Sequence, residues 1–108
     1  VHYPGLESHP DHPRARRLLD GFGGMLSLEL EGDVGRADAF IGNSTLPISA
    51  PSLGGVETLI TRPATTSHAG VSPEDRKAMG IPDTLIRLSI GLEHPDDLIE
   101  DFEQALAK

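Results

Sequence analysis

The sequence has no cysteine, which excludes a disulfide framework and a thiolate metal site. It is also poor in base, with nine Lys and Arg against seventeen Asp and Glu, a net charge of −8. Nucleic-acid affinity rests largely on clustered Lys and Arg, so this balance argues against a phosphate-backbone partner. No apolar run approaches the ~18 residues needed to cross a bilayer, and no charged-then-apolar signal segment opens the chain. The expectation is a cytoplasmic chain with no membrane partner. Its 108 residues, 37% of them hydrophobic, suffice for one small domain with one core. Residue 1 is Val, and Val1-His2-Tyr3 reads as the end of a strand already under way before the Pro4-Gly5 turn. That opening suggests a piece of a longer polypeptide.

Asp11 stands where it can cap a short helix with Pro13 in its first turn, Ala15, Leu18 and Leu19 on its apolar side, and Gly21 as its stop. Gly21-Phe22-Gly23-Gly24 reads as a flexible joint. Leu26, Leu28 and Leu30 alternate with polar residues and predict a half-buried strand. Gly32-Asp33 opens a second helix through about Ile41, with Val34, Ala37 and Ile41 on one side. From Gly42 to Gly55 the pattern loosens around one apolar piece, Leu46-Pro47-Ile48. Val56 to Ile60 then reads as a brief strand ended by Pro63. Ser72-Pro73-Glu74-Asp75 has the acceptor, the proline and the acids of a helix start, and Gly80 ends that helix. Leu85 to Ile90 predicts a strand with Arg87 and Ser89 opposite Leu88 and Ile90. Pro95, Asp96 and Asp97 begin a last helix, along which Leu98, Ile99, Phe102, Ala105 and Leu106 form one stripe. Three or four strands and four helices in mixed order predict an α+β fold, a small, mostly antiparallel sheet with helices packed on one face.

Several local features invite chemistry and lose to plainer readings. His9-Pro10-Asp11-His12 sets two imidazoles beside a carboxylate, but the prolines break the helix that would aim both at one ion. Asn43-Ser44-Thr45 matches a glycosylation acceptor in a chain with no mark of secretion. The six acids from Glu93 to Glu103 read mostly as a solvated face, and Arg14, Arg16 and Arg17 as a balance for acids of this or a neighbouring chain. Two features resist dismissal. Pro51-Ser52-Leu53-Gly54-Gly55-Val56-Glu57-Thr58 is a loop able to bring backbone N–H groups and a hydroxyl close to a ligand. Arg87, alone on the polar face of an apolar strand, needs an anion: either a ligand carboxylate or an internal acid such as Glu57.

In order along the chain stand Tyr3-Pro4-Gly5-Leu6, Ser8-His9-Pro10, Gly23-Gly24-Met25, Ser52-Leu53-Gly54-Gly55-Val56-Glu57-Thr58-Leu59, Ser67-His68, and Leu85-Ile86-Arg87-Leu88-Ser89-Ile90-Gly91-Leu92-Glu93, closing on Asp97-Leu98-Ile99-Glu100-Asp101. This series resembles the C-terminal domain of the pyridoxal-phosphate-dependent trans-sulfuration enzymes. That family includes cystathionine gamma-synthase, cystathionine gamma-lyase, methionine gamma-lyase and O-acetylhomoserine sulfhydrylase. The resemblance implies that residues 1–108 are one C-terminal domain, and that the domain binding pyridoxal 5'-phosphate lies elsewhere in a longer chain. It implies that Arg87 binds the substrate's alpha-carboxylate. By the same resemblance Ser52 and Leu53 lie beside cofactor and substrate, where they help hold the carboxylate and orient the cofactor lysine. The family forms its Schiff base through a lysine of the large domain, and neither Lys77 nor Lys108 sits in a matching motif. The domain alone is then expected to be inactive, a part of an enzyme that performs gamma-elimination or gamma-replacement on sulfur amino acids or O-acylhomoserine. The family further implies a homotetramer. The alternative is a stand-alone, non-catalytic module of the same fold that binds an amino acid or a partner.

Overall fold

The computed structural model describes residues 1–108. Four helices, α1 (His12–Leu18), α2 (Val34–Asn43), α3 (Pro73–Ala78) and α4 (Pro95–Ala107), and four strands, β1 (Met25–Glu29), β2 (Ile48–Ser49), β3 (Leu59–Thr61) and β4 (Leu85–Ser89), follow in the order α1-β1-α2-β2-β3-α3-β4-α4. One sheet runs in the order β1-β4-β3-β2. β4 is antiparallel to β1 and to β3, whereas β2 joins β3 in parallel. The sheet is therefore mixed, and its parallel pair comes from the loosely patterned segment after Gly42, where only Ile48 and Ser49 pair.

Alternation along β4 sorts its side chains onto two faces. Ile86 and Leu88 join Ile60 of β3 beneath α2 and α4, where they form a buried cluster with Ala37, Phe40 and Ala105. Leu26 and Leu28 of β1 pack against this cluster, and the rings of Phe40 and Phe102 meet at 5.7 Å. The other face carries Thr61, Arg87 and Ser27, which stand directly opposite one another across three strands. His2 extends this row through an antiparallel bridge to Ser27.

The helix starts follow their local chemistry. Ser72 Oγ accepts from Asp75 N at 3.2 Å, and Asp33 Oδ1 accepts from Arg36 N at 3.1 Å. α4 is capped by a residue the acid pattern hides, His94, whose Nδ1 accepts from Asp96 N at 3.2 Å. Elsewhere the structure corrects the pattern. Asp11 occupies the cap position of α1 but its side chain makes no cap bond; it pairs with Arg14 at 3.6 Å. α1 stops at Leu18, before Gly21, and of its apolar side only Ala15 is buried while Leu18 and Leu19 face solvent. The joint at 21–24 is anchored: Phe22 stacks on His12 at 5.3 Å, and the Tyr3 hydroxyl donates to Gly23 O at 2.8 Å. β3 starts at Leu59, three residues later than its apolar run, and the residues before it turn to the segment after β4, where Val56 O accepts from Leu92 N and Thr58 N donates to Glu93.

Candidate functional site

Arg87, Ser89, Gly91 and Glu93 recur at every second residue; Arg87 and Ser89 share the face of β4 turned away from the helices, and Gly91 and Glu93 follow in the segment after it. All four meet the loop 51–58, in matching order. Arg87 Nη2 donates to Pro51 O at 2.7 Å and to Ser52 O at 2.9 Å. Ser89 Oγ, itself buried, accepts from Gly54 N at 2.8 Å. Gly91 leaves the room that lets the two segments touch: a Cβ there would strike the backbone of Val56, Glu57 and Thr58. The Glu93 carboxylate accepts from Thr58 N, at 2.8 Å to one oxygen, and from the Thr58 hydroxyl at 2.6 Å, while that hydroxyl accepts from Gly91 N at 2.9 Å. The hydroxyl bond, helped by the backbone N–H, holds the Glu93 carboxyl below the usual carboxylate range against the opposing effect of desolvation.

Arg87 differs from the chain's two other well-packed arginines. Arg62 meets Asp38 at 2.9 Å and Arg76 meets Asp83 at 2.8 Å. Arg87 forms no ion pair, and Glu57, the internal acid considered for it, is exposed elsewhere on the loop. Its Nη2 is taken by the two carbonyls, and its Nε is buried without a partner. Arg87 lines a cleft of about 180 Å³ together with His2, Met25, Leu26 and Ser27. An always-charged group without a counter-ion at the rim of a cleft is suited to receive an anion from outside the chain. The loop brings Ser52 beside Arg87 through its carbonyl, while the side chains of Ser52 and Leu53 remain exposed.

The remaining sequence candidates have local employment. His9 Nδ1 accepts from Asp11 N and His12 Nδ1 meets Pro4 O, so the two rings serve separate turns. The Thr45 hydroxyl donates to Asp101 at 2.6 Å. Asp101 also accepts from Thr45 N, Leu46 N and Gln104 Nε2. Burial pushes its pKa up, but these donors outweigh burial and the net direction is down. Glu93 and Asp101 are therefore structural members of an acidic run that reads as a solvated face. The period-two series from Arg87 to Glu93 was the available signal for the loop contacts; apart from Gln104, the partners of Asp101 at Thr45 and Leu46 stand more than fifty residues away.

Residues 1–107 match the family described as Cys/Met metabolism PLP-dependent enzyme. The chain belongs to that family. Cystathionine gamma-lyase of Dictyostelium discoideum is 47% identical over 108 residues, which cover 100% of this chain and 28% of that protein. L-methionine gamma-lyase of Fusobacterium nucleatum subsp. polymorphum is 46% identical over the same length and is covered to 27%. The fold superimposes with a TM-score of 0.93 on a solved cystathionine gamma synthase from Xanthomonas oryzae pv. oryzae in complex with cystathionine, at 47% identity over 97% of this chain and 27% of that one. This member of the Cys/Met-metabolism family thus spans little more than a quarter of the length of the relatives it matches. Pyridoxal 5'-phosphate, the family's cofactor, presents an aldehyde that an amine must meet. The chain's two lysines, Lys77 on α3 and Lys108, are both exposed, and neither borders the Arg87 cleft. The residues present do not make a holder for the cofactor. They offer a fixed guanidinium and a loop laced to one strand. No helix is long and apolar enough to cross a membrane.

Proposed function

We propose that this chain is the C-terminal, substrate-carboxylate-binding domain of a pyridoxal-phosphate-dependent trans-sulfuration enzyme acting on sulfur amino acids or O-acylhomoserine by gamma-elimination or gamma-replacement. The observation that carries the reading is Arg87: a cation without an internal acid, held by the carbonyls of Pro51 and Ser52 at the edge of a cleft. A carboxylate is the anion an arginine fork suits best. Ser52, whose carbonyl receives that guanidinium, and its neighbour Leu53 would border the same substrate. In this reading the remainder of the parent polypeptide supplies the cofactor lysine and the phosphate contacts, so these 108 residues alone are inactive. A cytoplasmic homotetramer is the assembly we expect for the parent enzyme, by analogy within the family.

The test is Arg87→Ala in the intact polypeptide. Losing a charged hydrogen bond costs roughly 1.5–3 kcal/mol, so KM for the amino acid should rise about 10- to 100-fold. An unchanged KM would remove the carboxylate role. Reading the coding sequence upstream of Val1 tests the domain assignment separately. A long open frame carrying a cofactor lysine is the expected result, and a start codon at Val1 would leave a stand-alone binding module.

A further inference from the structure

We infer that Ser89 is a positioning residue for substrate recognition, acting through the backbone of Gly54 to hold Ser52 and Leu53 in register with Arg87. The inference rests on the carboxylate reading above and deepens it. Arginine is a donor only and can fix carbonyls alone. It therefore secures Pro51 and Ser52, and leaves the chain beyond Ser52 free to swing about that anchor. The next fixed point is the N–H of Gly54, and the group that receives it is the hydroxyl oxygen of Ser89 at 2.8 Å. Gly54 has φ +77°, a left-handed conformation that a residue with a side chain adopts at a cost. Leu53, between the two anchors, keeps its side chain exposed, so no packing replaces the bond. Ser89 is itself 2% exposed and stands two residues from Arg87 on the same strand face. The sheet thus holds donor and acceptor at a fixed separation, and the loop between Pro51 and Gly54 is measured against it. Downstream, the Val56 carbonyl accepts from Leu92 N at 2.7 Å and Thr58 bonds to Glu93, anchors that lie two and four residues beyond Gly54 and fix the far end of the loop. They do not set where Ser52 and Leu53 sit.

The experiment compares Ser89→Ala, Ser89→Thr and Ser89→Cys with Arg87→Gln in the intact, cofactor-loaded polypeptide. Each variant is assayed with the amino-acid substrate and with its alpha-carboxamide, and its thermal midpoint is recorded. A hydrogen bond of ordinary net strength predicts a two- to tenfold rise in KM for Ser89→Ala. kcat should change less than KM, and the preference for acid over amide should survive because Arg87 remains. Ser89→Thr, which keeps the hydroxyl, should restore KM. Ser89→Cys keeps the volume with a poor acceptor and should behave as Ala, even if the alanine variant does not fold. Loss of the acid-over-amide preference in Arg87→Gln supports the carboxylate reading itself. If that preference is lost there while KM is unchanged in both Ser89→Ala and Ser89→Cys, the positioning role is overturned and the carboxylate reading stands. If Arg87→Gln keeps the preference, the carboxylate reading falls and this inference with it. A fall in thermal midpoint with no change in KM would also overturn the role.

Discussion

The two faces of the sheet use alternate residues of the same strands for different ends. Beneath α2 and α4, Ile60, Ile86 and Leu88 are almost wholly buried against aliphatic and aromatic carbon, an arrangement whose free energy scales with apolar area and needs no particular direction. On the opposite face Thr61, Arg87 and Ser27 form a polar row, and the loop 51–58 is held there by directed bonds from Arg87, Ser89 and Glu93. Non-directional burial tolerates small shifts, whereas donors and acceptors fixed by a strand demand a set spacing. Stability resides on the first face, and the carboxylate-binding role proposed for Arg87 would put recognition on the second.

Neighbouring residues of β4 offer the sharpest test. Ile86→Ala removes a fully buried side chain and should cost about 2–5 kcal/mol of stability in urea unfolding of the intact polypeptide. Substrate KM should stay near its original value at temperatures where the protein is folded. Arg87→Ala, one position along, should do the reverse, raising KM while moving the unfolding midpoint little. If the two substitutions have the same profile, the division between faces does not hold.

Asp101 lies between these extremes, a directed group on the stability side. Asp101→Asn replaces an anion that receives four donor groups and should cost about 1–3 kcal/mol, with the loop at Thr45 and Leu46 loosening first. Hydrogen exchange at those two amides reports it. The smallest effect is on pH. Glu93 and Asp101 both titrate below their ordinary values in the folded state. Their stabilising contribution is therefore complete above the usual carboxylate range and is lost as the pH falls through the lowered folded-state values. Unfolding curves should show a loss of stability below about pH 4, and Glu93→Gln should flatten part of it.

What the sequence discloses follows the range of the interactions. α3 is legible because Ser72, Pro73 and Asp75 act within one turn. β4 is legible because alternation is a property of the strand itself, and the apolar stripe places α4, with Leu98 and Ala105 buried. Phe40, the largest side chain in the core beneath α2 and α4, escapes the pattern because its register on α2 matters only once α4 is in place. Leu18 and Leu19 look like core and are not, since a seven-residue helix with one buried alanine has no neighbour to cover them. For the candidate site, Arg87 and its loop stand out as types. The internal acid considered for Arg87 is set aside only by three-dimensional geometry, which leaves Glu57 exposed. Ser89 and Glu93 gain their meaning from partners thirty-five residues away.

The two-residue β2 also bears on how the molecule avoids sticking to itself. Ile48 N and Ala50 N already bond to Thr58 O, just before β3, and to Ile60 O within it, so the outward amides of this edge belong to positions 47, 49 and 51. Two of those are Pro47 and Pro51, which have no N–H. Ser49 alone could greet an incoming strand. At the other edge Ser27 exchanges both of its backbone bonds with His2. Neither margin offers a ladder long enough to template fibril growth, although Ile48 is more than half exposed.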